Sequence, residues 1–226
     1  MLHSYFMKIH FNYRYWRCRN LLLNDYYKAL EPLLELSIEK APLLALDLEM
    51  TGLDAKKDQI ISIGLIPITN GEIKLNKGQH KLLKITGSVG QSATIHGVLD
   101  KDLQQALPLN EAILWLLKEA KGHILVAHHA PLDLSFIEQA LMQQTTQKCR
   151  LFAIDTMRIE HKRLAHRQQI IKEGDLRLGS CRSRYNLPNY EAHNALVDAL
   201  SCAELLLAQL SRMGGAGNVK VSELIC

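Results

Sequence analysis

The chain has 226 residues, of which 47% are hydrophobic and 22% are charged, a composition that excludes wholesale disorder. No apolar run reaches the roughly 18 residues that a membrane-spanning helix needs, and the aromatic, basic start is not a secretory signal, so we expect a cytoplasmic protein with no membrane contact. The net charge of +4 is too small to indicate a polyanionic partner by itself, and five scattered cysteines indicate free thiols, not a disulfide framework or a zinc site.

Residues 1–40 predict a separate N-terminal extension. It begins with the aromatic and basic segment FNYRYWRCR (11–19) and continues into a Leu-rich helical stretch that Pro32 interrupts. The first segment could stack on nucleic acid. The alternative, which we favour, is an amphipathic element packed on the domain or on a partner.

Residues 41–212 predict one globular domain. Residues 43–49, 58–68 and 71–85 indicate strands, and Asn70-Gly71 is a hairpin signal between the last two. From residue 110 onward, helical and strand patterns alternate, ending in a long helix over 194–210. Hairpin strands followed by alternating elements predict a mixed sheet flanked by helices. The Gly-rich residues 213–226 predict a flexible tail.

One stretch of the domain is strongly basic. From Arg158 to Arg184 there are eight Lys or Arg residues and three acidic residues, so the rest of the chain is close to neutral. Such a segment can follow a phosphate backbone. A solvated helix face is the alternative interpretation.

Four carboxylates occupy apolar surroundings. Asp47 and Glu49 are two apart in a predicted strand, so both project from the same face. Asp133 begins a helix, where it favours the helix dipole, yet its neighbours at helical spacing are apolar. Asp198 lies in an apolar helical stripe with no Lys or Arg at helical spacing. A strand end that reaches solvent, the helix dipole or protonation would each explain one of these acids alone.

Taken together, the four acids indicate a metal site. Oxygen ligands without clustered Cys and His suit Mg²⁺ or Mn²⁺ and argue against zinc. Four carboxylates can hold two such ions roughly 3.5–4 Å apart, the arrangement used for phosphodiester cleavage. His193 precedes a predicted helix cap at Asn194, and from that loop its imidazole could act as a general base. By itself, a surface histidine is the simpler interpretation.

Three segments resemble the motifs of the DEDDh family of 3′–5′ exonucleases. They are DLEMTG (47–52), AHHAPLDLSFI (127–137) and HNALVD (193–198), in the family's order, and IHG (95–97) resembles a segment between the first two. The resemblance covers residues 43–210 and is greatest to the branch of proofreading epsilon subunits of bacterial replicative DNA polymerases and their stand-alone relatives. It implies an α/β, ribonuclease H-like fold with a five-stranded mixed sheet.

The resemblance also implies roles for individual residues. Asp47, Glu49 and Asp198 would bind the ion nearer the nucleophile, Asp47 would bridge to a second ion that Asp133 supports, and His193 would be the base. The residues that would border the 3′-terminal nucleotide are Met50, Thr51, Gly52 and His96. His129 stands where the family commonly has Asn, which puts a substrate contact in question but not the metal site.

The resulting hypothesis is a 3′–5′ exonuclease that uses two Mg²⁺ or Mn²⁺ ions to release nucleoside 5′-monophosphates from single-stranded or frayed DNA ends. Its partners would be nucleic acid 3′ ends, with DNA favoured over RNA, and a DNA polymerase is a further candidate. DLEMTGLD also resembles oligoribonuclease, so RNA 3′-end trimming is an alternative. A non-catalytic nucleic-acid or polymerase-binding module is the second alternative.

Overall fold

The strands of the chain form one mixed sheet. A computed structural model describes residues 20–87, 106–191 and 193–226, together with Ile9 and Tyr13. Within these residues the sheet order is β3-β2-β1-β5-β6, and β4 also pairs with β2. The strands are β1 (Leu43–Met50), β2 (Ile60–Thr69), β3 (Glu72–Ile73), β4 (Gln79–Leu82), β5 (Ile124–Ala127) and β6 (Ala153–Asp155).

Helices flank this sheet. They are α1 (Leu21–Leu30), α2 (Leu109–Ala120), α3 (Ala130–Thr145), α4 (Thr156–His166), α5 (Leu178–Ser183), α6 (Ala195–Arg212) and α7 (Val221–Leu224). None of the helices within the described ranges has the length and apolar character needed to cross a bilayer. The predicted mixed sheet with flanking helices is therefore confirmed.

Strand β1 is the centre of the fold. It pairs antiparallel with β2 on one side and parallel with β5 on the other, and β5 pairs parallel with β6. The carboxyl ends of the three parallel strands therefore meet at one edge of the sheet, where α3 and α4 also begin. Asp47 and Glu49 lie in the half of β1 nearest this edge.

Two short strands share the outer edge of β2. Asn70 and Gly71 adopt positive φ values of 54° and 71°, which is the conformation of a two-residue hairpin turn, so the predicted turn is confirmed. The single strand expected over 71–85 is instead broken into β3 and β4 by a 3₁₀ turn at Leu75–Lys77. The described sheet consequently has six strands, not five.

Residues 20–40, which belong to the expected N-terminal extension, pack against the sheet. Leu23, Tyr26, Leu30 and Leu34 are fully buried in the same hydrophobic core as the sheet. Tyr27 donates its hydroxyl to the Arg150 carbonyl at 2.9 Å. Residues 20–40 are thus part of the domain core, because the apolar side of α1 covers surface that would otherwise be exposed. FNYRYWRCR lies outside the described residues, Tyr13 excepted.

Residues 213–226, the expected flexible tail, lie along the edge of the sheet at β6. Val221 and Ile225 are buried, and Cys226 and Ala153 exchange backbone hydrogen bonds of 3.0 and 3.3 Å. The tail thereby pairs with β6, whose polar backbone groups would otherwise form an open sheet edge. Its glycines serve turns, since Gly214 and Gly215 both have positive φ.

The packing of α1 makes a prediction about stability. Leu30→Ala should lower the free energy of unfolding by about 2–5 kcal/mol, because it leaves a cavity in the core. Leu21→Ala is the matched control, since Leu21 lies on the same helix but is 82% exposed, and it should change stability by less than about 0.5 kcal/mol. Urea denaturation of the full chain measures both values. Equal effects would show that α1 is not part of the core.

Candidate active site

Three carboxylates meet at the carboxyl end of β1. Asp47 and Glu49 project from the same face of the strand, and Asp198 comes from the first turn of α6. One carboxylate oxygen from each of the three lies within 4.8 Å of the others. Acids from two distant stretches of chain therefore converge as the sequence predicted.

A close helix–strand contact brings Asp198 to this point. Gly64 of β2 is the pairing partner of Asp47, and a Cβ atom on Gly64 would lie 2.1 Å from the Ala195 carbonyl oxygen. The first turn of α6 therefore lies directly against the backbone of β2, which only glycine permits. Asn194 caps the helix by accepting the N–H groups of Leu196 and Val197, and Asp198 follows one turn later.

Asp133 lies beside this group on α3 and is buried. Its carboxylate accepts a hydrogen bond from the backbone of Leu48, and its charge is the strongest among those that raise the pKa of Asp47. Within the described part of the chain, the trio that satisfies the 4.8 Å distance does not include Asp133. The fourth predicted acid is thus adjacent to Asp47 but outside the tight trio.

The electrostatics of the four acids are unfavourable without a cation. Burial raises the pKa of Asp47 well above its usual range, and the charges of Asp133, Glu49 and Asp198 add to this. Burial, with the Asp198 charge, raises the pKa of Glu49 to about 8. Burial also raises the pKa values of Asp133 and Asp198. Ionising all four therefore costs free energy unless positive charge balances them.

This donor set fits a hard divalent cation. Each acid offers oxygen ligands, and three of the carboxylates already lie within one small volume. Mg²⁺ and Mn²⁺ prefer such oxygen ligands, whereas zinc sites are built mainly from Cys and His. A divalent ion would also remove the electrostatic cost of the raised pKa values, so the residues present suit the predicted metal.

His193 lies directly before the cap of α6. Its backbone is left-handed, with φ of 70°, and its N–H donates to Asp198 Oδ2 at 2.7 Å. Burial raises the pKa of Asp198, and this hydrogen bond partly offsets that rise because it stabilises the ionised carboxylate. The side chain of His193 is exposed. The structure thus ties the predicted base to a predicted metal ligand through the backbone.

Three predicted substrate contacts lie where β1 ends: Met50 is its last residue, and Thr51 and Gly52 begin the loop that follows. Asp58 organises it by accepting the Thr51 hydroxyl at 3.3 Å and the Asp54 N–H at 2.9 Å. A Cβ on Gly52 would lie 2.5 Å from the Asp58 carboxylate. A larger residue at this position would therefore force the Asp58 carboxylate to shift. His96, the fourth predicted contact, lies outside the described residues.

His129 precedes α3 in a left-handed conformation, and its side chain is exposed. Its backbone N–H donates to Asp155 Oδ1 at 3.1 Å. Asp155 also caps α4 by accepting the Met157 N–H at 2.9 Å. This role of Asp155 was not predicted, although an acid between a strand and a helix is a recognisable cap signal.

Arg182 is a second residue that the sequence analysis missed. It is buried and donates to the carbonyls of Ser201 and Pro188 and to the Glu204 carboxylate, each at 2.7 Å. Its guanidinium stacks on Tyr190, whose hydroxyl donates to Glu204 at 3.0 Å. The loop that leads to His193 is thereby fastened to α6. No local pattern signals this, because the partners are distant in sequence.

Comparisons with known proteins relate this chain to an exonuclease family. A family model described as Exonuclease (RNase_T) matches residues 44–206. A DNA polymerase III PolC-type from Thermotoga petrophila is 29% identical over 189 residues, which are 83% of this chain and 13% of that protein. The chain thus spans about one eighth of the length of this relative. The resemblance to exonucleases predicted from the motifs is confirmed.

Solved structures share the fold. E. coli Exonuclease I in complex with a dT13 oligonucleotide superimposes with a TM-score of 0.61 at 12% identity, covering 77% of this chain and 43% of that one. Exonuclease X in complex with 5′ overhanging duplex DNA gives a TM-score of 0.58 at 18% identity, covering 80% and 98%.

The contact between Gly64 and α6 makes a prediction about metal binding. Gly64→Ala should displace the first turn of α6 and weaken Mn²⁺ binding at least about tenfold, because Asp198 moves away from Asp47. Gly179→Ala is the matched control, since a Cβ on Gly179 would meet nothing within 4 Å. Isothermal titration with Mn²⁺ measures the affinities. Unchanged binding in Gly64→Ala would show that α6 does not position the acids.

Proposed function

This chain belongs to the RNase_T exonuclease family, and we propose that it is a 3′–5′ exonuclease that hydrolyses the terminal phosphodiester of DNA. The product would be a nucleoside 5′-monophosphate. The curated relative above is much longer than this chain, so the activity proposed is that of the domain.

The convergence of Asp47, Glu49 and Asp198 within 4.8 Å is the observation that carries this proposal. Carboxylates that are crowded together with raised pKa values are costly in a purely structural role, and such groups cluster at functional sites. Divalent ions at such a cluster are a common solution for phosphodiester cleavage. A non-catalytic binding module would have no need for the trio.

Two Mg²⁺ or Mn²⁺ ions are the proposed cofactors. Asp47, Glu49 and Asp198 would hold one, and Asp47 with Asp133 would hold the other. Such ions supply an activated water and compensate the charge that develops on the leaving oxygen. The pKa of Glu49 is raised to about 8, so in the metal-free protein the Glu49 carboxyl is largely protonated near neutral pH. Metal binding would release this proton.

The remaining chemistry is assigned to protein groups. We propose that His193 accepts a proton from the attacking water, whose oxygen then bonds to the terminal phosphorus while the P–O3′ bond breaks. The leaving oxygen becomes the new 3′-hydroxyl once it is protonated. Met50, Thr51, Gly52 and His96 would border the terminal nucleotide, and His129 would contact the strand beyond it.

The preference for DNA rests on the comparisons. Exonuclease X and Exonuclease I have been solved with DNA bound, and the PolC-type relative is a DNA polymerase. A DNA polymerase is therefore the protein partner that we propose for this domain. Phosphate, sugar and stacking contacts would make hydrolysis independent of sequence.

Activity should depend on the acidic trio. With 5′-labelled single-stranded DNA and Mg²⁺, wild-type protein should produce a ladder of shorter labelled strands, faster than with matched RNA. Asp198→Asn keeps the shape but removes a ligand charge, and it should lower the rate at least about a hundredfold. Asp25→Asn, at an exposed acid of α1, should match wild type. Equal rates in EDTA, or immediate release of the labelled 5′ nucleotide, would refute the proposal.

His193 should affect turnover and not metal binding. His193→Ala should lower kcat about 10²–10⁴-fold, the range for loss of a general base, while Mn²⁺ affinity by titration stays within about twofold because the backbone bond to Asp198 remains. His161→Ala, an exposed histidine of α4, is the control and should behave as wild type. A kcat unchanged by His193→Ala would assign proton transfer elsewhere.

A further inference from the structure

A cavity of about 340 Å³ lies between α4, the carboxyl-terminal end of α6 and α7. Its lining combines two kinds of side chain. Ile159, Met213 and Leu224 are apolar, and cationic residues of α4 line the same space. Neither the acidic trio nor the loop after β1 contributes to it. We call it the α4 cavity.

Three cations at the α4 cavity have no acidic partner among the residues that the structure describes. Arg158, Lys162 and Arg167 line the cavity and are exposed. Across the described ranges, the ion pairs found do not include any of these three. Arg158 and Lys162 are four residues apart on one helix, so their side chains share a face about 6 Å apart along the axis.

The wall of the cavity is built from paired groups. Glu160 is fully buried and accepts hydrogen bonds from Arg163 at 2.6 Å and from the Tyr185 hydroxyl at 2.9 Å. The Tyr185 ring lies under the guanidinium groups of Arg163 and Arg212, at 5.6 and 4.3 Å. Arg163 and Arg212 are held by these contacts and therefore fix the shape of the cavity. The cations without an acidic partner remain available to bind a ligand.

Asp155 connects the α4 cavity to the acidic trio. It lines the cavity, and its carboxylate accepts the backbone N–H of His129. Its charge also contributes to the raised pKa of Asp133. The α4 cavity therefore begins next to the proposed active site, at the same edge of the sheet, and extends away from it along α4.

We propose that the α4 cavity binds a nucleotide of a single-stranded DNA substrate upstream of the 3′ end that is being cleaved. Arg158, Lys162 and Arg167 contact its backbone phosphates, and its base packs against the apolar lining. Cations beside apolar and aromatic surface are the usual elements of a single-strand binding groove. The position of the cavity beside the proposed active site favours the substrate strand over an acidic peptide. This inference rests on the proposed exonuclease function.

The test compares a long and a small substrate on the full chain. Arg158→Ala/Lys162→Ala should raise KM about tenfold for a 20-nucleotide single strand, with kcat unchanged, since two phosphate contacts are lost. The dependence of log affinity on log salt should become shallower by about 0.7 for each contact. Hydrolysis of the p-nitrophenyl ester of thymidine 5′-monophosphate, which reaches only the acidic site, should not change.

A matched double variant distinguishes a specific binding site from a general effect of losing two positive charges. Lys118→Ala/Lys148→Ala removes two exposed cations elsewhere on the surface and should leave KM for the 20-mer within about twofold. An equal rise in KM in both double variants would overturn the α4 cavity as a site. So would an unchanged KM in the α4 variant, which would leave the cavity to an acidic protein partner. If wild-type protein fails to hydrolyse the ester and the DNA, the exonuclease proposal itself fails.

Discussion

Repulsion among four carboxylates, two of them buried and two half-buried, is the constraint on which the rest of the structure depends. Burial raises the pKa values of Asp47, Glu49, Asp133 and Asp198, and the charges of neighbouring carboxylates raise the first three further. A fold can keep such a cluster only if the surrounding packing supplies the free energy to hold it. Here that packing is the antiparallel pair β1–β2, with α6 pressed against it at Gly64.

Several elements around the cluster stabilise the fold and so offset the electrostatic free energy of holding the four acids together. The long buried run of β1 fixes the strand in the core, and α1 covers further apolar surface. The pairing of Cys226 with Ala153 closes the edge of β6. These contacts are made by residues other than the four acids. They stabilise the fold without contributing to the chemistry of the site.

Much of the fold and the acidic trio could be predicted because their signals are local. Strand alternation places Asp47 and Glu49 on one face, and Asn194 is a recognisable cap that positions Asp198. The motif order then identified the family. These features need only short windows of sequence.

What could not be predicted depends on contacts between distant segments. In the sequence, Gly64 cannot be distinguished from any other glycine in a strand. Its role depends on the contact with the first turn of α6. The tail over 213–226 looks loose from its glycines, yet its apolar residues find a sheet edge more than sixty residues away in sequence. Arg182 appears as one cation in a basic stretch, although it is buried and pairs with Glu204. Composition alone does not distinguish such residues from their exposed neighbours.

The fastening of the His193 loop by Arg182 has a mechanical consequence. The loop is held to α6 at Ser201 and Glu204, and α6 also carries Asp198. The His193 N–H also donates to the Asp198 carboxylate, so the backbone at His193 and this carboxylate are linked. A tilt of this helix would therefore move both groups, which couples cation binding at Asp198 to the position of the proposed base.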